Sequence, residues 1–361
     1  MENKVKRFSL QTLIGIVIWV IVIYYLPVQF GDVPESIPTD EVETEVPLST
    51  IEANTIPAIG LERYVGQSFK TFKDQFGEPT TEYDIGNDEK LYQFGNDATD
   101  YMQVTVDDNV VRSLINLGSQ NSSGFFTMDM TIDNLRDEVD PMAKIEIPFA
   151  FSEDEQTDDT LSFTLTDHQL LTIPIISFDN GTYAILWFNP INQKEEGMFF
   201  VDAWTLSQLT IYERNQAYLP QNTEQPIAVN NPIFAQIWLA MVNIIRESHD
   251  LDPLSESLPL DELAGQIINQ GEETYMPSVL LSEQMIRSYV SEQITGNQWQ
   301  YIYNHQIANH GELLSYVFEE PKLMKTILDP SLTEVGIYYD GQQFFSFFDQ
   351  GSASEELSVK E

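Results

Sequence analysis

Residues 8–31 carry no charge, and Leu13–Leu26 within them is almost wholly apolar. Lys4, Lys6 and Arg7 stand just before this run, and no basic residue follows it until Arg63. A helix of about 20 apolar residues spans a bilayer, and Phe8–Val28 is long enough. The basic flank then places the N-terminus in the cytoplasm and everything after the run outside. Two alternatives stand beside this reading. A cleaved leader suits so short an apolar core. Against it, Tyr24-Tyr-Leu-Pro-Val-Gln-Phe30 offers no small-x-small site, and no cysteine is present to carry a lipid. A buried soluble helix suits Trp19, Tyr24 and Tyr25, but the polarity switch on either side argues against it. The expectation is a cytoplasmic tip and uncleaved anchor over 1–28: a single-pass protein of the cell membrane with its bulk extracellular.

Beyond the anchor the chain is acidic, with a formal net charge of -40 over 361 residues. Nucleic acid needs cationic partners, so it is excluded as a ligand. Docking on anionic lipid headgroups is disfavoured for the same reason. Hydrophobic residues at 42% still suffice for packed cores. The absence of cysteine removes disulfides, thiol catalysis and cysteine-based zinc sites. Residues 29–58 combine prolines with Asp32, Glu35, Asp40, Glu41, Glu43, Glu45 and Glu52 and contain no base. Self-repulsion makes this an extended extracellular stalk.

Two folded regions follow. Over 59–212, Ser68 is an N-cap for a short helix that puts Phe69, Phe72 and Phe76 on one face and ends at Gly77. Strands are expected at 90–94, 101–106 and 110–115, the last two joined by Asp107-Asp-Asn109. Met130-Thr-Ile-Asp-Asn-Leu135 echoes the first helix. Strands near 161–166, 170–177 and 182–188 and apolar runs at 198–201 and 206–212 come after it. This gives an α+β domain of two helix-plus-meander halves. Residues 213–231 read as a linker. Over 232–349, Pro232 opens a helix whose Phe234, Ile237, Trp238, Met241, Val242 and Ile245 recur at helical spacing. Further helices are expected near 261–269, 281–293, 311–318 and 321–328. A hairpin of 335–339 and 342–348 turns at Asp340-Gly341. Residues 350–361 form a tail.

Chemistry is sparse. No Gly-x-Ser-x-Gly turn offers a serine nucleophile. Gly118–Gly124 lacks the Lys-Ser/Thr ending of a phosphate loop, and Asp84–Glu89 lacks calcium-loop spacing. His305 and His310, with Glu312 nearby, are the weak metal candidates, but their spacing of five does not align ligands on one helix face. Asn243 and Arg246 are read as braces for a loop within their own domain.

The order Val242-Asn-Ile-Ile-Arg246, Leu251-Asp-Pro-Leu254, Leu260, Leu263, Ala264, Ile327-Leu-Asp-Pro330 and Glu334-Val-Gly-Ile337 resembles the CAP superfamily (cysteine-rich secretory proteins, antigen 5 and pathogenesis-related 1). The likeness is to its cysteine-free bacterial form. Residues 59–212 are similar to the domain that precedes CAP in membrane-anchored proteins of Gram-positive bacteria. The resemblance implies a C-terminal α/β/α sandwich. It also implies a cleft of two histidines and two glutamates that holds a divalent metal in some members. This sequence departs from that set. Glu320-Pro321-Lys322-Leu323 stands for Ser-Pro-x-His, and His305-Gln306-Ile307-Ala308 for Glu-Asn-Ile-Ala. Ile267 and Ile268 lie near a usual His-Ser pair, and no histidine falls between His249 and His305. The cleft candidates are therefore His305, Gln306, Glu312, Glu320, Leu323, Asn243 and Arg246, with no catalytic residue and no cofactor assigned. The expectation is a non-catalytic CAP-like protein binding an envelope protein, a wall component or an apolar ligand. An envelope hydrolase or metal-dependent enzyme with a rewired cleft is the alternative. A third reading makes the CAP-like domain a spacer and the preceding domain the working part.

Overall fold

The computed structural model describes residues 55–86, 88–121, 124–139, 141–148, 160–214, 231–275, 281–294 and 299–351. The chain divides into two units, Met1–Ser49 and Thr50–Glu361. The expected anchor, almost all of the stalk, most of the linker and the tail beyond 351 lie outside the described residues. Among the described residues no helix is long and apolar enough to cross a membrane.

The first folded region is built on one antiparallel sheet. Its strands are β1 (Thr81–Gly86), β2 (Glu89–Phe94), β3 (Met102–Asp107), β4 (Val110–Asn116), β7 (Ile175–Ser177), β8 (Tyr183–Phe188) and β9 (Glu195–Val201). Their order is β1-β2-β3-β4-β9-β8-β7, so two meanders share one sheet through the β4–β9 pair. Period-2 alternation sorts the side chains. Val104, Leu114, Leu186, Met198 and Phe200 face one core, together with Phe69 and Phe72 of α1 (Phe69–Phe76) and Leu135 of α2 (Ile132–Glu138). Leu91, Ile115, Ile185, Trp187, Phe199 and Val201 face the other. Both helices start where the sequence caps them: Ser68 Oγ accepts from Thr71 N, and Thr131 with Asn134 closes a capping box.

The second half departs from a simple meander. The expected strand at 161–166 is β6 (Thr160–Thr164), which joins β5 (Lys144–Pro148) and β10 (Glu213–Arg214) in a separate three-stranded sheet. The expected strand at 170–177 begins as α3 (Gln169–Thr172), because Thr166 and Gln169 exchange hydrogen bonds that start a helical turn. The apolar run 206–212 is not a strand. Asp202 accepts from Thr205 N at 2.7 Å and caps α4 (Ala203–Gln208) across its first half.

The second region has α5 (Asn231–Ser248), α6 (Leu258–Tyr275), α7 (Glu283–Gln293), α8 (His310–Glu319) and α9 (Pro321–Ile327). These helices surround a sheet of β11 (Ser255–Glu256), β12 (Gln300–Asn304), β13 (Glu334–Tyr339) and β14 (Phe344–Asp349). The strand order is β11-β13-β14-β12, with only the β11–β13 pair parallel. Phe344 and Phe348 point to α5, α8 and α9, while Phe345 and Phe347 point to α6 and α7. The result is an α/β/α sandwich in which each fully buried phenylalanine contributes about 1.5–3 kcal/mol. Gly336 lets β13 meet α6: a Cβ there would lie 2.1 Å from the Leu260 carbonyl carbon.

The core of the second region is continuous with the open face of the large sheet. Trp187 stacks on Phe318 of α8 at 5.7 Å, and its Nε1 donates to Ser315 Oγ at 2.9 Å. Gly311 of α8 sits on Phe199, where a Cβ would come within 2.4 Å of the ring.

Candidate functional site

The candidates on α5 hold the backbone. Asn243 bonds both the N–H and the carbonyl of Leu254. Arg246 is 1% exposed, and its guanidinium donates to four carbonyls, those of Asp252, Ile327, Asp329 and Leu332, at 2.7–3.2 Å. It ties the turn after α5 to the loop between α9 and β13. Burial draws its pKa down while Asp329 and Asp252 oppose the shift.

The cleft candidates differ in burial and in what holds them. Glu312 is 0% exposed. One carboxylate oxygen accepts from both N and Oγ1 of Thr210 at 2.5 Å, the other from Ala308 N at 2.8 Å. Burial pushes its pKa up against these bonds and the positive charge of Arg214. The acid is thus a latch between α8 and the end of the first region. His310 is buried with its ring 3.9 Å from that of Phe234, whose carbonyl accepts from Nε2. Burial lowers its pKa to about 4, so it is neutral at physiological pH. His305, Gln306 and Glu320 are exposed, and Leu323 is buried in the core beside α8. Ile267 is buried on the opposite side of the β11–β14 sheet.

A divalent metal does not fit this donor set. The buried imidazole of α8, His310, is committed to a carbonyl, Glu312 to three donors, and Leu323 is aliphatic. Among the described residues no three of His, Cys, Asp and Glu are grouped to hold a metal ion.

One concave feature lies elsewhere. A cavity of about 450 Å³ opens where the face of β1–β4 and β9 meets α4 and the start of α8. Its floor is apolar: Leu91, Ile115 and Phe199 from strands, and Phe234 from α5. Its polar wall is Glu89, Gln103, Thr105, Asp107, Arg112 and Ser113. Trp204 of α4 stands at the edge, 47% exposed. Gln103 is 2% exposed; its Nε2 donates to the Tyr101 hydroxyl at 2.5 Å, and its Oε1 has no partner. Such an unmatched buried acceptor costs about 1–3 kcal/mol. Arg112 is engaged by Asp107 at 3.0 Å, with Asp202 3.8 Å away. Glu89 makes no side-chain hydrogen bond or ion pair among the described residues; burial and the Asp107 carboxylate push its pKa up, with Arg112 opposing. Of the cleft and metal candidates named from sequence, only His310 lines this cavity. The wall went unnoticed because Gln103 and Ser113 alternate with Val104 and Leu114 just as solvent-facing strand residues do.

Two regions joined in this way make a protein of the SCP-type (CAP) fold with a further domain in front. Residues 65–212 match the CAP-associated N-terminal family. Among solved structures, a cysteine-rich secretory protein from Staphylococcus aureus superimposes with a TM-score of 0.69 at 16% identity, covering 82% of this chain and 95% of that one. An extracellular protein containing a SCP domain from Bacillus anthracis gives 0.64 at 15% identity, covering 84% and 99%. The likeness therefore spans both regions. No curated protein matches the chain.

Proposed function

We propose that this chain is a non-catalytic binding protein of the bacterial cell envelope, tethered by residues 1–28 and working outside the membrane. The observation that carries the reading is Glu312. The acid nearest the expected cleft is sealed in the domain junction, with both oxygens held by Thr210 and Ala308. His305 and Glu320 are exposed and Leu323 is buried and aliphatic. The cavity at the junction is lined by none of His305, Glu312, Glu320 or Leu323, so the place for a ligand and the remnant of the cleft are separate. The secretory and extracellular descriptions of the two structural relatives support the location.

The test is hydrolysis of casein and of peptidoglycan by the full chain with added Zn²⁺, Mn²⁺ or Ca²⁺. It compares the native protein with His305→Ala and Glu312→Gln. The expected outcome is no turnover above the metal-free control in any of them. A metal-dependent activity lost in either variant overturns the reading in favour of the envelope hydrolase. The tether is checked by alkaline extraction of membranes: the full chain stays in the pellet, and a chain lacking residues 1–28 is released.

A further inference from the structure

We propose that His249 and Glu196 form a proton-operated latch between the two regions. With its imidazole charged, His249 holds Glu196, and through Glu196 the 189–194 loop, against the end of α5; with the imidazole neutral, that corner of the junction opens. The inference stands apart from the binding reading above.

The latch is built on one carboxylate. Glu196 lies at the start of β9, where the register shifts opposite Trp187 and Phe188, and its side chain is 12% exposed. Its Oε1 accepts from Asn189 Nδ2 at 2.8 Å, Asn192 Nδ2 at 2.9 Å and His249 Nε2 at 2.9 Å. Its other oxygen is buried and has no hydrogen-bond partner among the described residues. Of the three donors, only the imidazole can carry a charge. The two asparagines also frame the loop between β8 and β9. Asn189 Oδ1 accepts from Ile191 N and Asn192 Oδ1 from Lys194 N, each at 2.8 Å. His249 comes from the other region, in the turn that closes α5. One proton on its ring therefore decides whether a mostly buried carboxylate faces a cation or only neutral dipoles. Removing the charge of one partner leaves the other uncompensated.

The surroundings set the sign. The hydrogen bond to Glu196 pushes the His249 pKa up, the charges of Glu196, Asp129 and Asp250 add to it, and burial opposes. The neighbouring cation, Lys194, is drawn to Asp129 at 3.0 Å, and Glu247 of α5 accepts from Ala98 N at 3.1 Å. Glu195, beside the latch, is 1% exposed, and burial pushes its pKa well up. A raised imidazole pKa in the joined state means that the contact is at full strength below about pH 6.5 and is lost as pH rises through the raised value. The neutral ring keeps at most an ordinary hydrogen bond, about half as strong as the charge-assisted one. The Trp187–Ser315 bond and the packing of Gly311 on Phe199 join the regions without a titratable group, so the opening stays at this corner.

The experiment is amide hydrogen exchange of the full chain in detergent micelles at pH 5.5 and 8.5, read by mass spectrometry as protection corrected for intrinsic rate. Peptides covering 189–196 and 246–251 are expected to lose roughly 5-fold in protection at the higher pH, while 310–319 keeps its own. His249→Gln retains a donor and removes the charge, and is expected to show the lower protection at both pH values. Glu195→Gln is expected to leave the pH response in place. An NMR titration of the labelled imidazole, in the native chain, is expected to place His249 above the ordinary value of about 6.5, and Glu196→Gln to bring it down. Protection at 189–196 that does not change with pH, a response that persists in His249→Gln or vanishes in Glu195→Gln, or a native His249 that titrates at or below the ordinary value overturns the inference.

Discussion

The pocket around Arg246 and the wall around Gln103 are both buried and both polar, but they differ in how their polar atoms are matched. Arg246 gives bonds to four carbonyls within one domain. Gln103 makes one side-chain bond, to Tyr101, and its other amide atom is buried with no hydrogen-bond partner among the described residues. A matched buried group specifies architecture, because nothing remains for a ligand to supply. An unmatched one facing open space marks where a ligand completes the bonding. By that criterion Arg246 is framework of the second region.

Arg246→Ala should produce the largest effect. It strips the donors from four carbonyls, those of Ile327 and Leu332 at buried bonds, and leaves a void, so urea unfolding should show a loss of about 3–5 kcal/mol. Arg246→Lys should recover only part, since an ammonium cannot reproduce the planar fork. Glu89→Gln should change stability by no more than about 0.5 kcal/mol in the same measurement. Equal losses at the two sites would erase the distinction between them.

Gly311→Ala should cost about 1–3 kcal/mol by overpacking. The added methyl meets the Phe199 ring at 2.4 Å, where α8 crosses the sheet. Thermal melting should fall. Unchanged melting would mean that the junction yields freely.

A further effect concerns pH. Burial raises the Asp261 pKa from 3.8 to about 7, although its Oδ1 accepts from Ile337 N at 2.6 Å. A raised carboxyl pKa means that the folded state holds its proton longer. The stabilisation is full below the unfolded value near 4 and is lost as pH rises towards 7. Asp261→Asn should flatten the fall in stability across that window, read as unfolding midpoints at pH 4, 5.5 and 7. A slope unchanged by the substitution would place the titrating group elsewhere.

Local features of the fold were legible in the sequence because their causes are local. Asp340-Gly341 turns the last hairpin, and Ser68 caps the first helix with the Phe69 and Phe72 face inward. The run 206–212 misled because its apolar content hides a cap four residues earlier, at Asp202. The candidate site was not legible. Glu312 meets Thr210 from 102 residues away and Trp187 meets Ser315 from 128, and no sequence spacing signals either contact. A polar residue on a strand reads as solvent-facing until a second domain is known to cover it.

The most direct measurement is a crystal structure of the full chain grown with excess Mn²⁺. No anomalous density for the metal beside His305, Glu312 or Glu320 is the predicted result. A metal ion held by two of the three would contradict it.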